Sequence, residues 1–239
     1  MSLGIYRGFF IFIDMKTVVI SGTSRGIGKE LVLLFAHAGF EVYALSRNKQ
    51  GVLAYADGHP NIKALEVDIN NWDSTITSIK KELTKIDILI HNAAAFINKP
   101  FSEMSYEDMQ SVYHTNVMVP YFLSQGLVQI MPAASQILAI SSVGGVGGSM
   151  KFPGLSVYSS SKGALNIIVE CLAEELRDRE IFVNALALGS SETEMFKAAF
   201  PDLAAASQPQ DMAKYIYNFA LNSVPLVNGK TFSISSQNP

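Results

Sequence analysis

The sequence predicts an α/β fold: a doubly wound parallel sheet of about seven strands, with helices on both of its faces. Short apolar runs rich in β-branched residues alternate with stretches of helical periodicity along the chain. A glycine-rich turn joins the first apolar run to the first helical stretch, and no linker or repeat divides the 239 residues. Strands that alternate with helices form parallel sheets covered on both faces, so we expect one domain of this kind.

The strands are predicted from the apolar runs, and the helices from apolar residues spaced three and four apart. Strands are expected at residues 16–21, 41–46, 62–67, 86–90, 136–140, 181–186 and 230–234. Gly39 ends the first helix, and Ser105 with Asp108 forms a capping box that opens a long helix to about residue 131. Further helices are expected at residues 72–83, 156–178 and about 207–221, whereas residues 190–208 read as irregular or weakly helical.

Composition limits the classes of function. Hydrophobic residues make up 49% of the chain and charged residues only 16%, against ~25% in an average soluble domain. The net charge is −3 and the basic residues are scattered, so we expect neither a nucleic-acid nor a membrane partner. The single Cys171 excludes an intramolecular disulfide and is typical of a reducing compartment, which predicts a cytoplasmic protein. The four histidines show no metal-ligand spacing, so no metal is expected.

The beginning of the chain carries no targeting signal that we recognise. The apolar run at residues 8–13 is shorter than the ~18 residues that a membrane span needs. It is followed by no small-residue cleavage site of the kind that ends a signal peptide. We therefore expect residues 1–14 to be an N-terminal extension and residues 15–239 to form the domain.

Tyr158 and Lys162 stand four residues apart at the start of a predicted helix, so their side chains share one face. The pKa of a free phenol is ~10, and a cation within ~4–6 Å favours the phenolate and lowers it. The pair predicts that Tyr158 exchanges protons as a general acid or base. The same spacing also occurs on solvated helix faces, where it has no chemical role.

Gly22, Gly26 and Gly28 follow the first strand and open the first helix. Glycines at such a place allow a tight turn and let the backbone approach a phosphate closely. The helix N-terminus supplies N–H donors and the positive end of the helix dipole. The turn therefore predicts a dinucleotide site, and an ordinary glycine turn is the alternative.

Together these residues resemble the short-chain dehydrogenase/reductase family, in particular its NADP(H)-dependent carbonyl and 3-oxoacyl reductases. Residues 21–28 resemble the family's T-G-x-x-x-G-x-G turn, residues 92–94 (Asn-Ala-Ala) its N-A-G signature, and Tyr158 with Lys162 its Y-x-x-x-K motif. Asn184, Gly189 and Thr193 match the segment after the sixth strand. The resemblance covers about residues 16–235 and implies a Rossmann-type fold. It also implies a cofactor site formed by Gly22, Ser24, Arg25, Gly26, Ile27, Gly28, Arg47, Asp68, Asn92, Ala93, Tyr158, Lys162, Gly189 and Thr193.

The resemblance also implies four catalytic residues, because Asn116 and Ser142 match the family's catalytic Asn and Ser. Ser142 would orient a substrate carbonyl oxygen, and Tyr158 would protonate it as hydride arrives at carbon. Lys162 would lower the pKa of Tyr158 and bind the nicotinamide ribose, and Asn116 would hold a water of a proton relay. Ser142 could equally be a strand-end hydroxyl, and Asn116 a helix-interior amide tied to the backbone.

The residues after the second strand indicate which cofactor is used. An acidic residue there would bond the ribose 2′-OH of NAD, but this chain has Arg47, and Arg25 lies in the glycine turn. Two guanidiniums suit a 2′-phosphate, so NADP(H) is favoured over NAD(H). The alternative is that both are solvated surface charges. Asp68 resembles the family residue beside the adenine ring, and its alternative role is a strand-end turn former.

Some positions depart from the family pattern. His91 replaces the usual first Asn before the N-A-G signature, Ala94 replaces its Gly, and Leu188 replaces the Pro of the usual P-G pair. The glycine-rich stretch at residues 144–148 makes the segment between Ser142 and Tyr158 longer than usual, and it borders the expected substrate pocket.

The function predicted is that of an NADP(H)-dependent oxidoreductase interconverting a carbonyl and an alcohol. The expected pocket wall is mostly apolar, so a neutral ketone, aldehyde or secondary alcohol fits better than a polyanion. Its members are Phe96, Val143, Met150, Phe152, Leu155, Met195 and Phe196. The alternative is a non-catalytic dinucleotide-binding sensor or interaction protein, of which the three departures would be the marks.

A homodimer or homotetramer is also predicted. The helices that begin near Tyr106 and Ser156 carry apolar residues on more than one face. One sheet cannot cover all these faces, and members of the family commonly pair these helices across a two-fold axis.

Overall fold

In a computed structural model, which describes residues 15–236, seven strands form one parallel sheet. The strands are β1 (Thr17–Ser21), β2 (Glu41–Ser46), β3 (Ile62–Glu66), β4 (Ile88–His91), β5 (Gln136–Ser142), β6 (Phe182–Leu188) and β7 (Thr231–Ile234). Their order across the sheet is β3-β2-β1-β4-β5-β6-β7, and all six pairings are parallel. The predicted doubly wound parallel sheet is therefore confirmed. The strand order reverses between β1 and β4, which is where ligands bind in sheets of this kind.

In the described part of the chain, eight α-helices connect the strands. They are α1 (Gly26–His37), α2 (Lys49–Ala56), α3 (Trp72–Glu82), α4 (Tyr106–Tyr113), α5 (Val119–Leu127), α6 (Ser156–Glu175), α7 (Glu194–Ala199) and α8 (Pro209–Asn222). Within residues 15–236, no helix is both long and apolar enough to cross a membrane. The expectation about residues 1–14 lies outside the described residues.

The strands alternate their side chains between two hydrophobic cores. Val18 and Ile20 of β1 belong to a core that contains residues of α1, α2 and α8. Val19, between them, belongs to the opposite core, with residues of α3, α5 and α6. This period of two is the pleat of the strand, and burial on both faces explains why the strands are almost wholly apolar.

The long helix expected at residues 106–131 is interrupted. A π-helical turn, His114–Met118, separates α4 from α5, and a 3₁₀ turn, Val128–Ile130, follows α5. Pro120 explains the interruption, because it has no N–H to donate and its ring crowds the carbonyl of residue 116.

Of two short helices, α2 was not expected, and α7 lies within residues 190–208, for which irregular or weakly helical structure was expected. Asn48 caps α2 by accepting a hydrogen bond from the Gly51 amide at 2.9 Å, and Thr193 caps α7 by accepting one from the Phe196 amide at 3.2 Å. Each helix is at most two turns long, so its apolar periodicity is too short to detect, and the polar cap was the available signal.

Two side-chain amides, of which that of Asn184 is buried, fasten the last strand to the sheet. Asn184 on β6 donates to the Val227 carbonyl at 3.0 Å and accepts from the Lys230 amide at 3.1 Å. Asn228 accepts from the Val183 amide at 2.8 Å and donates to the carbonyl of residue 173 at 3.2 Å. These side chains thus add to the backbone hydrogen bonds that Gly229 and Lys230 form with β6 before β7 begins.

We expect Asn184→Ala to lower the free energy of unfolding by about 2 kcal/mol, because it leaves a backbone donor and an acceptor without partners. Urea denaturation would measure the loss. The control is Asn222→Ala at the exposed end of α8, for which we expect a change within about 0.5 kcal/mol. Equal losses in the two variants would show that the Asn184 hydrogen bonds do not stabilise the edge of the sheet.

Candidate active site

The carboxyl ends of β1 and β4 are joined by hydrogen bonds at the point where the strand order reverses. The Ser21 hydroxyl accepts from the backbone amides of Asn92 and Ala93, each at 3.1 Å. The Asn92 side chain donates to the carbonyls of Ser21 and Gly22, each at 3.0 Å. Through these hydrogen bonds, the residues that resemble the N-A-G signature hold the glycine turn in place.

The glycine turn requires its glycines. Gly22 and Gly26 have φ of 71° and 56°, in the left-handed region that other residues rarely adopt. A Cβ on Gly28 would collide with the Gly22 carbonyl oxygen and lie 2.6 Å from the Asn92 side-chain nitrogen. The turn therefore brings the start of α1 directly onto the end of β1.

The N-terminus of α1 has the properties of an anion site. Arg25 occupies the cap position without a capping side-chain hydrogen bond, and the first turn contains no acidic residue. The backbone N–H groups of this turn and the helix dipole favour a negative group such as a pyrophosphate. Ser24 and Arg25 are exposed, and Ile27 is half-buried.

The two arginines expected at the 2′-phosphate are both exposed. Arg47 follows the end of β2. Arg25 lines an opening beside Phe96 and Met195. Asp68, after β3, is also exposed, and its carboxylate accepts from the Asn70 amide at 3.1 Å, so it does form a strand-end turn.

The structure brings Ser142, Tyr158 and Lys162 together. The Ser142 hydroxyl accepts from the Gly144 amide at 3.3 Å and is hydrogen-bonded to the Tyr158 phenol. Lys162 is only 2% exposed, and its Nζ donates to the Ile140 carbonyl at 2.8 Å. The same Nζ lies 5.8 Å from the centroid of the Tyr158 ring.

The pKa values of this pair differ from the sequence prediction. Burial raises the pKa of Tyr158 to about 12, and the hydrogen bond from Ser142 offsets only part of that shift. The net pKa of Tyr158 is therefore raised and not lowered as expected, because burial outweighs the effects that favour the phenolate. Burial also lowers the pKa of Lys162 to about 8. Both shifts arise because the two groups are removed from water, which disfavours the charged form of each.

The side chain of Asn116 is hydrogen-bonded to the backbone, which was the alternative role considered for it. It is fully buried in the π-helical turn, where its Oδ1 accepts from the Ala95 amide at 2.8 Å. Its Nδ2 donates to the Ala95 carbonyl and to the Ser161 hydroxyl, each at 3.0 Å. Both N–H donors of the side chain are thus used. Pro120, four residues later, has no N–H for the Asn116 backbone carbonyl.

Residues that the sequence did not single out hold this π-helical turn in place. The Asn70 carbonyl lies 2.9 Å from His114 Nε2, and its side-chain oxygen accepts from the Thr115 hydroxyl at 2.9 Å. The Trp72 ring stacks on Phe122 with centroids 4.6 Å apart. These contacts connect the loop after β3, which contains Asp68, to the helix that carries Asn116. Pro120 was the signal in the sequence that could have located the turn.

The residues after β6 lie over the glycine turn. The Gly189 amide donates to the Ile234 carbonyl at 2.8 Å, which fixes the direction of the chain leaving β6. A Cβ built on Gly26 would lie 3.2 Å from the Thr193 methyl group. Thr193 therefore contacts the turn and places α7 across the site.

The expected pocket wall divides into two parts. Phe96 packs against Tyr158, with ring centroids 4.6 Å apart, and Met195 and Phe196 of α7 lie on the same side. Phe200, which the sequence did not single out, completes that side. Phe152 and Leu155 instead line a second cavity of about 500 Å³ next to residues 144–147.

His91 is a structural residue in this arrangement. It is 4% exposed, and its Nε2 lies 2.8 Å from the Ser124 hydroxyl of α5. Burial lowers the pKa of His91 to about 4, so the ring is neutral at pH 7. Among residues 15–236, no three His, Cys, Asp or Glu side chains lie where they could hold a metal ion.

Comparisons with known proteins agree with this geometry. Residues 16–204 match the family model described as short chain dehydrogenase. The chain is 32% identical to a 3-oxoacyl-[acyl-carrier-protein] reductase of Bos taurus, covering 76% of this chain and 78% of that protein. It is 29% identical to an L-xylulose reductase of Mesocricetus auratus, covering 72% and 70%. The crystal structure of BdcA in complex with NADPH superposes with a TM-score of 0.82 at 27% identity, covering 92% of both chains.

We expect the stability of the protein to fall by about 2 kcal/mol between pH 7.5 and pH 5 through His91 alone. The folded-state pKa of about 4 lies below the ordinary 6.5, so the unfolded chain binds more protons between these values. The contribution of His91 to the stability is fully present above pH 6.5 and is lost as the pH falls toward 4. Urea denaturation at both pH values would measure it, and His91→Asn should remove this part of the pH dependence. An unchanged pH dependence in His91→Asn would contradict the assignment.

Proposed function

Because the chain belongs to the short-chain dehydrogenase family, we propose that it is an NADP(H)-dependent oxidoreductase that interconverts a carbonyl and an alcohol with Tyr158 as general acid and base. Family membership makes the chain an oxidoreductase for CH–OH or carbonyl groups with a nicotinamide cofactor. The observation that carries the finer proposal is the meeting of the Tyr158 phenol, the Ser142 hydroxyl and the buried Lys162 beside the glycine turn.

The residues present fit a dinucleotide. The backbone of residues 22–28 and the uncapped start of α1 offer N–H donors to a pyrophosphate, in a turn where a Cβ on Gly28 would not fit. Asn92, Ala93, Gly189 and Thr193 would surround the rest of the cofactor, with Asp68 at the adenine. Bound there, the nicotinamide supplies or accepts the hydride.

Tyr158 and Ser142 act on the substrate oxygen. The Ser142 hydroxyl donates to the carbonyl oxygen and orients it, and Tyr158 donates its proton to that oxygen as negative charge develops. A pKa of about 12 keeps the phenol protonated at neutral pH, which suits reduction. The nearby Lys162 ammonium stabilises the phenolate that remains.

Asn116 contributes to the return of the proton through its backbone. Its side-chain donors are engaged with Ala95 and Ser161. Pro120 has no N–H to donate to the backbone carbonyl of Asn116. This carbonyl is an acceptor for a water that links Lys162 to solvent. The relay expected from the sequence is thus proposed for a different atom of the same residue.

We propose NADP(H) rather than NAD(H) as the cofactor because of the positive charges of two arginines. Arg47 follows β2 at the place where an acidic residue would select NAD, and Arg25 flanks the glycine turn. Guanidiniums bind phosphate through paired N–H groups. The bound NADPH in the BdcA structure supports this choice.

We also propose that the chain forms a homodimer or homotetramer through α4, α5 and α6 in a reducing compartment, the cytoplasm. Tyr106, Met109 and Ile167 are large, apolar and exposed on these helices. A free, exposed Cys171 is compatible with reducing conditions.

We expect Arg47→Asp to weaken NADPH binding by about 10–100-fold, because a charge-assisted contact to phosphate is lost and a repulsive charge is added. NADH binding should change far less. Cofactor fluorescence titrations would measure both, and Lys214→Asp on α8, with the same change of charge, is the control. The preference for NADPH would be refuted by equal dissociation constants of NADPH and NADH in the parent protein.

We expect Tyr158→Phe to reduce turnover of a carbonyl substrate by about 10² or more, the scale of general acid catalysis, while NADPH binding persists. The substitution keeps the ring beside Phe96 and removes the proton donor. Steady-state NADPH oxidation with a panel of neutral ketones and aldehydes would measure it, with Tyr106→Phe on the exposed end of α4 as control. Near-parental turnover by Tyr158→Phe would defeat the mechanism, and bound NADPH without turnover of any carbonyl in the parent would favour the non-catalytic alternative.

A further inference from the structure

Three phenylalanines from two segments meet beside Tyr158. The Phe96 ring, after β4, is tilted by 56° to the Tyr158 ring, with centroids 4.6 Å apart. Phe200, directly after α7, lies edge-on to Phe96 at 6.1 Å, and Phe196 of α7 lies 5.3 Å from Phe200. We refer to Phe96, Phe196 and Phe200 as the aromatic wall.

An opening of about 390 Å³ is lined by Phe96 of this wall. Its remaining lining is Arg25, Asn98, Met195, Ala198 and Ala199. Small-molecule sites commonly enclose ~300–1,000 Å³. The opening is therefore large enough for one ring with a short substituent, and its lining combines the apolar Phe96 and Met195 with the polar Arg25 and Asn98.

The lysines of the surrounding loops are engaged within the protein. They are Lys99, paired with Asp108 at 2.6 Å, Lys197, paired with Glu192 at 3.4 Å, and Lys151, which donates to the Val146 carbonyl at 2.7 Å. An anionic substrate would have to displace these partners or compete with the cofactor phosphate for Arg25. The charges around the opening thus favour a neutral molecule.

From this arrangement we infer that the substrate is a neutral carbonyl compound with an aromatic ring next to the carbonyl group, and that Phe96 determines this preference. The inference rests on the proposed function, because it takes Tyr158 as the group that contacts the carbonyl oxygen. Since the Phe96 and Tyr158 rings are in contact, a substituent on that carbonyl packs against Phe96. Aromatic rings attract one another in offset or edge-to-face geometry beyond the effect of buried area.

A pair of matched alcohols separates this attraction from simple apolar burial. Phenyl methyl carbinol and cyclohexyl methyl carbinol are both neutral, and the cyclohexyl compound buries at least as much apolar area. Area alone therefore predicts no preference for the phenyl compound. Neither alcohol can accept hydride, so both form unreactive complexes with the protein saturated with NADPH, and their binding does not depend on catalysis.

The experiment is calorimetric titration of both alcohols, and of the para-carboxylate of the phenyl compound, into the NADPH-saturated protein. We expect the phenyl compound to bind at least about 5-fold more tightly than the cyclohexyl compound, within the range that aromatic pairs provide. Phe96→Leu should reduce this ratio to about 1 and leave NADPH affinity unchanged. Phe101→Leu, at a phenylalanine that is 87% exposed, should keep the parental ratio.

The inference would be overturned if the parent protein bound the phenyl compound no more tightly than the cyclohexyl compound, or if Phe96→Leu kept the preference for the phenyl compound. Tighter binding of the para-carboxylate than of the phenyl compound would also overturn it. Failure of the protein to bind NADPH would instead refute the proposed function. In that event the same titrations into the cofactor-free protein still test the aromatic wall, because all three rings are in place without a cofactor.

Discussion

The burial of the Lys162 ammonium against the end of β5 is the interaction on which the arrangement of the site depends. A buried cation is costly unless a polar group receives it, and here the Ile140 carbonyl does so. The chain must pack closely around it: a Cβ on Gly145 would lie 2.7 Å from the backbone of residues 162 and 163. One turn earlier on α6, the Tyr158 carbonyl accepts from Ser161, whose hydroxyl in turn accepts from Asn116. The position of one lysine thus links β5, α6, the glycine-rich stretch and the π-helical turn.

The same burial also affects the proton transfer that we propose for Tyr158. Desolvation disfavours the charged form of each group, so the phenol of Tyr158 stays protonated and Lys162 loses its proton more easily than in water. A protonated phenol is a donor ready for a carbonyl oxygen that gains charge. Alcohol oxidation requires the phenolate instead, which only added positive charge beside the ring can make accessible near neutral pH. Under the mechanism that we propose, the raised pKa of Tyr158 therefore favours reduction.

Local sequence signals predicted the fold and the main candidate site residues. The properties that the sequence could not show depend on packing between residues that are far apart in the chain. The β-branched runs, the glycine turn and the spacing of Tyr158 and Lys162 each depend on neighbours in the chain, and the structure brings them to one edge of the sheet. The pKa of Tyr158 depends on how deeply the phenol is buried and on its hydrogen bond with Ser142, which no spacing reveals. The side-chain partners of Asn116 lie 21 and 45 residues away. Of the aromatic wall, the sequence indicated Phe96 and Phe196 but not Phe200. The helix α7 is too short for its apolar periodicity to show where Phe200 lies.

Transfer of deuterium from the cofactor to the substrate tests the central claim most directly. The protein would be incubated with an aryl ketone and NADPH deuterated at the transferable position of the nicotinamide, and the alcohol analysed by mass spectrometry. Direct hydride transfer at the Tyr158 site predicts one deuterium on the carbinol carbon, retained in ordinary water. An alcohol without deuterium, or bound NADPH that yields no alcohol with any neutral carbonyl compound, would contradict it.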